Sequence, residues 1–381
     1  MRVLELFGGI GACTAALKRM GVDVEVVDYV EIDKYATASY NAINGTDFEP
    51  QDICTWDKYL EVELIMHGSP CQDFSVAGKQ AGGDVGSGTR SSLMYETIRI
   101  VGKLRPKYVI WENVKNLLSA KHRHNFDAYL EIMKALGYTN YYQVLNAKDY
   151  GIPQNRERVF TISVLGEHKP FVFPNKSALA LRLKDLLEDE VEEKYYLSQK
   201  MIDGFLKHNE NHTQKGTGFI WKPKTGDDVA SCLRANASLA PTDNTLKSVR
   251  IGGIFDTEKS KRQAGGIWDK EQLSPTLDTM QGGWRQPSII DTDVSCKREC
   301  TEQTLTTNDN MGVGVSYKIR RLTPKECWRL MGFDDESFEK AAKVNSNTQL
   351  YKQAGNSIVV NVLEEIFKNL FEDYKENTKD N

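Results

Sequence analysis

The 381-residue chain is 40% hydrophobic and 27% charged, the balance of a globular protein, and its length exceeds a single core, so two lobes are expected. A formal net charge of −4 excludes a uniformly basic coat for nucleic acid; one modest basic stretch, residues 214–262, holds nine basic side chains against five acidic ones. The seven scattered cysteines are not a disulfide framework, Cys296 and Cys300 lack zinc-site neighbours, and no run reaches about 18 apolar residues, so a cytoplasmic protein with no metal and no membrane association is expected.

Up to about residue 165, short apolar runs alternate with helix-period segments, the pattern of a Rossmann-like, mostly parallel α/β sheet with helices on both faces. Strands are predicted at 2–7, 24–30, 63–67, 107–111, 140–146 and 158–164. The first runs through Phe7 into Gly8-Gly9-Ile10-Gly11, which is either a tight turn or a backbone approach to a ligand at a helix N-terminus. The second ends in Val30-Glu31-Ile32-Asp33. Glu31 lies twenty residues beyond Gly11, a distance that suits a carboxylate binding ribose hydroxyls. Asp52-Ile53 is placed at the next strand edge, where the acid can take an adenine amino group and the isoleucine can pack on the ring; a surface turn is the other reading of Asp52.

His67-Gly68-Ser69-Pro70-Cys71-Gln72 leaves the third strand for a glycine-rich stretch, residues 72–92, able to move as a lid. A lone cysteine is ordinarily packing, but one following Gly-Ser-Pro at a strand's carboxyl end is presented into a cleft. Leu93 then begins a helix. Trp111-Glu112-Asn113-Val114 follows the fourth strand and puts Glu112 at the sheet edge, where ligands of open α/β folds gather, although strand-end glutamates are ordinarily solvated. Phe126, Tyr129, Leu130, Met133 and Leu136 form a core-facing helical stripe. In Gln154-Asn155-Arg156-Glu157-Arg158 the two arginines alternate, so both point to one face, as a site or as surface ion pairs.

Past Pro174 the character changes. An acidic run at 185–193 marks a solvated linker, and glycines, threonines and short apolar pieces over 211–316 predict a loop-rich, mainly β lobe. Asn244-Thr245-Leu246, Pro275-Thr276-Leu277 and Gln303-Thr304-Leu305 echo one another about thirty residues apart. Thr323 with Glu326 forms a capping box, with Pro324 at the first helical position of a helix reaching Met331. Helical periodicity returns from Ser357 to Phe371, after Gln353-Ala354-Gly355-Asn356-Ser357, so Ser357 binds an anion at that helix's N-terminus or simply caps it.

In order, these blocks resemble the DNA cytosine-5 methyltransferase family over residues 1–165 and 316–370, with the middle matching only as a variable region. Gly8 departs from the alanine or serine frequent there in the family, and Ala12 from a glycine. The resemblance implies S-adenosylmethionine as methyl donor, held by Phe7, Gly9, Gly11, Glu31, Ile32, Asp52, Ile53, Leu93, Asn356 and Ser357. It implies Cys71 as the nucleophile attacking cytosine C6, with Glu112, Arg156 and Arg158 completing the catalytic set and Ser69, Pro70, Gln72, Ser75, Asn113 and Val114 meeting the substrate. The target base would be flipped out of double-stranded DNA. The domains implied are 1–175, catalytic and cofactor-binding; 176–316, linker and target recognition; and 317–381, a return segment completing the first. Monomeric action is expected, in a bacterial or phage-infected cell, with a cognate restriction endonuclease open as a partner in function.

Three rival readings differ in what they leave unexplained. The tRNA cytosine-5 methyltransferases share these motifs but have a compact recognition segment, whereas a long stretch separates Pro174 from Tyr317 here. An inactive DNA-binding protein would not need Cys71, Glu112 and Arg158 together. A nicotinamide-dependent oxidoreductase could use the glycine turn and Glu31, but would leave Cys71, Arg158 and the C-terminal block without a shared purpose.

Overall fold

The computed structural model describes residues 1–70, 93–216, 218–235, 240, 243–251, 267–269, 288–290 and 315–371. Cys71, Gln72 and Ser75, the lid expected over 72–92, and the Pro275 and Gln303 echoes lie outside the described residues.

The elements run β1 (Arg2–Leu6), α1 (Ala12–Arg19), β2 (Glu25–Val30), α2 (Lys34–Asn44), β3 (Leu64–His67), α3 (Met94–Leu104), β4 (Tyr108–Val114), α4 (Arg123–Ala135), β5 (Tyr138–Asn146), β6 (Gln154–Asn155) and β7 (Glu157–Leu165). They continue with α5 (Gln199–Lys215), β8 (Ala230–Ser231), β9 (Thr245–Ile251), β10 (Ile267–Asp269), β11 (Ser288–Ile290), β12 (Val315–Arg321), α6 (Pro324–Arg329), α7 (Asp335–Ala342), α8 (Asn347–Asn356) and α9 (Val360–Leu370). Each of the six predicted strands is present, and they form one six-stranded sheet ordered β2-β1-β3-β4-β7-β5. β2, β1, β3 and β4 pair in parallel, while β7 runs antiparallel to both β4 and β5.

Both sheet faces are covered. Leu4, Leu6, Ile65, Val109 and Trp111 pack with Met94, Ile98 and Val101 of α3 and with Phe126, Tyr129 and Met133 of α4, so the predicted stripe is core. Alternate strand residues point the other way. There Glu5 accepts a hydrogen bond from Thr14 of α1, and α1 packs against α9. The capping box at Thr323 is formed, with Pro324 in the first turn of α6.

The chain divides into two compact units, Met1–Val191 with Gly226–Asn244 and Leu322–Asn381, and Glu192–Thr225 with Thr245–Arg321. The expected domain limits therefore shift. Residues 176–191 and 226–244 join the first unit, because β8 pairs with β6 and the Leu183 N–H donates to the Asp228 carbonyl. Residues 317–321 belong to the second, because β12 pairs antiparallel with β9. That second unit also contains the 17-residue helix α5, which the expectation of a mainly β lobe did not include. Asn209 of α5 brackets the backbone of Trp221, whose indole N–H donates to Thr245 Oγ1 at 3.0 Å.

Candidate active site

The carboxyl ends of β1 and β2 converge on the glycine turn. Phe7, Gly9 and Gly11 have φ of 53°, 55° and 82°, left-handed values that glycine adopts without strain. The Glu31 carboxylate accepts the Gly9 N–H at 3.2 Å and the Asp33 N–H at 2.9 Å, which ties the two strand ends together. Burial raises the Glu31 carboxyl above its ordinary value despite these N–H donors. A Cβ on Gly9 would meet nothing within 4 Å, so open space lies beside the turn. Gly8 is different, since a Cβ there would sit 2.5 Å from the Tyr29 ring. The departure at Gly8 thus accommodates Tyr29, whose hydroxyl donates to the Gly9 carbonyl at 2.6 Å.

Three cofactor expectations change. Asp52 lies in the connection ahead of β3, not on a strand edge; its carboxylate accepts the Cys54 N–H at 2.9 Å, and it stays near Glu31 because the Gln51 N–H donates to the Glu31 carbonyl. Ile53 is 4% exposed, packed into the core with Trp56 and Ile98, whereas Ile32 is 70% exposed. Of the two isoleucines, Ile32 is the one open to solvent. Asn356 and Ser357 stand at the end of α8, not at the start of the next helix: Ser357 is the C-cap of α8, and α9 starts at Val360. Leu93 immediately precedes α3 and packs against the core.

Glu112 and Asn113 lie within β4, which extends three residues further than predicted because its end pairs with β7. Glu112 is opposite Phe160, and Val114 opposite Arg158. Glu112 and Arg158 are thus diagonal neighbours on one face, within reach of a long side chain. Arg158 Nε sits 3.1 Å from Glu112 Oε1. Burial raises the Glu112 carboxyl, and the charges of Arg158 and Arg156 oppose that without cancelling it.

The end of β3 lies beside this pair. A Cβ on Gly68 would be 3.9 Å from Glu112 Oε2. Trp111 Nε1 donates to Ser69 Oγ at 3.0 Å and Asn113 Nδ2 to the Ser69 carbonyl at 3.2 Å, so β4 grips the chain one residue short of Pro70 and two short of Cys71. His67 stacks on Trp111, and burial lowers its pKa to about 3, so the imidazole is neutral packing.

Arg156 does something else. Its buried guanidinium donates to the carbonyls of Leu233 at 3.2 Å, Gly355 at 3.1 Å and Ser357 at 2.7 Å, a cation closing the carboxyl end of α8. Gln154, also fully buried, donates to the Leu330 carbonyl and accepts the Leu233 N–H. Sequence reasoning missed Gln154 as a clamp and missed Cys232, whose sulfur lies 3.4 Å from Arg156 Nη1 and 3.6 Å from Arg158 Nη2. No local signal marked Cys232, because its partners lie more than seventy positions away.

Solved structures share this architecture. The chain is similar to the Dnmt2 methyltransferase of S. pombe, with a TM-score of 0.64 at 18% identity over 98% of this chain and 99% of that one. It is also similar to the Entamoeba histolytica methyltransferase EhMeth, with a TM-score of 0.66 at 16% identity over 98% of each. The fold is that of a methyltransferase. The chain belongs to the C-5 cytosine-specific DNA methylase family, whose profile it matches over residues 1–372. Among its relatives, the orphan methyltransferase M.SPRI of Bacillus phage SPR is 34% identical over 98% of both chains. The type II methyltransferase M2.ScrFI of Lactococcus lactis subsp. cremoris is 33% identical over 97% of this chain and 99% of its own. Among the described residues, no helix is long and apolar enough to cross a membrane.

Proposed function

We propose that this chain transfers a methyl group from S-adenosylmethionine to C5 of a cytosine within a short specific sequence of double-stranded DNA, with Cys71 as the nucleophile. The observation that carries this reading is the Glu112–Arg158 pair, a buried carboxylate with a half-buried guanidinium, beside the strand end that leads into Cys71. S-adenosylmethionine, when bound, supplies an electrophilic methyl group. The residues fit it: the open glycine turn, carboxylates at Glu31 and Asp52 for its hydroxyl and amino groups, and the exposed face of Ile32 for its adenine ring.

The Cys71 thiolate adds to C6 and opens the C5=C6 double bond, leaving C5 electron-rich. Glu112, biased towards its protonated form by burial, donates to ring N3 as charge develops there, and Arg158 faces the ring carbonyl. Once C5 carries the methyl group, loss of its proton re-forms the double bond and expels the thiolate. Both ring carbons are buried in a duplex stack, so the target base must leave it. Arg156 positions this set by holding the end of α8 and the 232–233 segment in place. The chain acts as a monomer, and any companion endonuclease acts on the same site without a stable complex.

Bisulfite sequencing of a plasmid from cells expressing the chain, beside a Cys71→Ser variant, tests the reading. Protection of one short motif with wild type alone is expected. An absence of protected cytosines from folded protein would overturn it.

A further inference from the structure

β8 carries a cysteine into the arginine pair of the site. Ala230 and Ser231 pair in parallel with Gln154 and Asn155. The Asn244 side chain accepts the Ser231 N–H at 2.8 Å and donates to its carbonyl at 2.9 Å, and the Leu233 N–H donates to Gln154 Oε1 at 3.1 Å. Just beyond, the chain crosses Gly355 so closely that a Cβ there would lie 2.3 Å from the Arg234 carbonyl carbon. Cys232 is therefore held from both sides by backbone contacts, and its sulfur has little freedom in where it points.

It points at two guanidiniums. Arg156 Nη1 is 3.4 Å and Arg158 Nη2 3.6 Å from Cys232 Sγ, and both arginines have donors to direct at it. The Leu233 carbonyl, 3.6 Å from the sulfur, also accepts from Arg156 Nη1 at 3.2 Å, so sulfur, carbonyl and guanidinium lie in one cluster. Two guanidinium charges this close repel one another in a partly buried setting, and Glu112 offers at most one negative charge against them.

We propose that Cys232 is a positioning residue for the methyl-transfer reaction: its sulfur, as the thiolate, bridges Arg156 and Arg158 and sets the Arg158 guanidinium against Glu112. This rests on the reading of Glu112 and Arg158 given above. Burial works against ionisation of Cys232, and the two arginines outweigh it, holding the thiol below the ordinary cysteine value. Arg158 is then fixed at three points, by Glu112 through Nε, by Cys232 through Nη2 and by the Glu157 carbonyl through Nη1.

Two measurements test this. In a Cys71→Ser background, the thiolate absorbance at neutral pH is compared with and without a second substitution, Cys232→Ser. A loss corresponding to one thiolate is expected, and the readout requires no catalysis. Steady-state kinetics on DNA then compare wild type with Cys232→Ser and Cys232→Asp. The serine variant should lose about tenfold in kcat, the effect of one charge-assisted hydrogen bond, with KM for DNA within about twofold, and aspartate should restore most of the loss. An unchanged absorbance, an unchanged kcat in Cys232→Ser, or a change confined to KM would each overturn the proposal. If wild type itself transfers no methyl group, the proposed function fails, while the absorbance still decides the thiolate.

Discussion

Replacing Arg156 by alanine separates positioning from chemistry in the arginine pair. The side chain is 3% exposed and donates to three backbone carbonyls, those of Leu233, Gly355 and Ser357. Hydrogen bonds from a charged donor contribute about 1.5–3 kcal/mol each. Deleting three, with some recovery from water entering the space and from no longer burying a cation, should cost about 4 kcal/mol. At about 2 °C per kcal/mol for a unit of this size, the melting temperature should fall by about 8 °C. Arg158→Ala removes one partly exposed ion pair with Glu112 and should shift melting by only about 3 °C, yet lower kcat at least about 100-fold. Thermal melting by circular dichroism, with tritium transfer to DNA measured well below both midpoints, gives the two readouts. If Arg156→Ala melts like wild type and still loses about 100-fold in kcat, then Arg156 acts on the substrate and the carbonyl clamp is not its role.

Two further outcomes are expected. Burial raises Glu5 from 4.5 to about 7, against hydrogen bonds from Thr14 and Tyr40. A carboxyl whose folded value lies above its unfolded one stabilises fully below the unfolded value and loses that contribution as pH rises through the folded one, here about 3 kcal/mol between pH 4.5 and about 7. Glu5→Gln should flatten this slope, so that urea midpoints of variant and wild type diverge between about pH 5 and about pH 8; parallel profiles would contradict it. Ile32→Ala should weaken S-adenosylmethionine binding about tenfold by calorimetry with little change in melting, whereas Ile53→Ala should destabilise by about 2–5 kcal/mol and leave the affinity intact below its midpoint. The reverse pattern would return the adenine contact to Ile53.

The sheet was legible because its signals are local. Apolar runs with turn residues at their ends marked all six strands, and Thr323, Pro324 and Glu326 wrote their helix start within four positions. Asp52 and Ile53 were misplaced because a loop brings them to β2 through Gln51, whose backbone N–H donates to the Glu31 carbonyl and whose side chain donates to Asp28 and the Tyr29 carbonyl, contacts that composition does not record. α5 was missed because its polar side chains mask the spacing of Met201, Phe205 and Leu206.

By itself the sequence determined the alternating α/β plan, the family and the order of the chemistry-bearing blocks, since each is carried by residues within a few positions of one another. Tertiary structure alone decided what the side chains do. Two arginines two residues apart look equivalent in the chain, yet Arg158 meets a carboxylate across the sheet while Arg156 meets carbonyls 77, 199 and 201 positions away. A buried guanidinium takes whatever acceptors the fold brings to it, and that choice is set by packing over distances that local sequence does not encode.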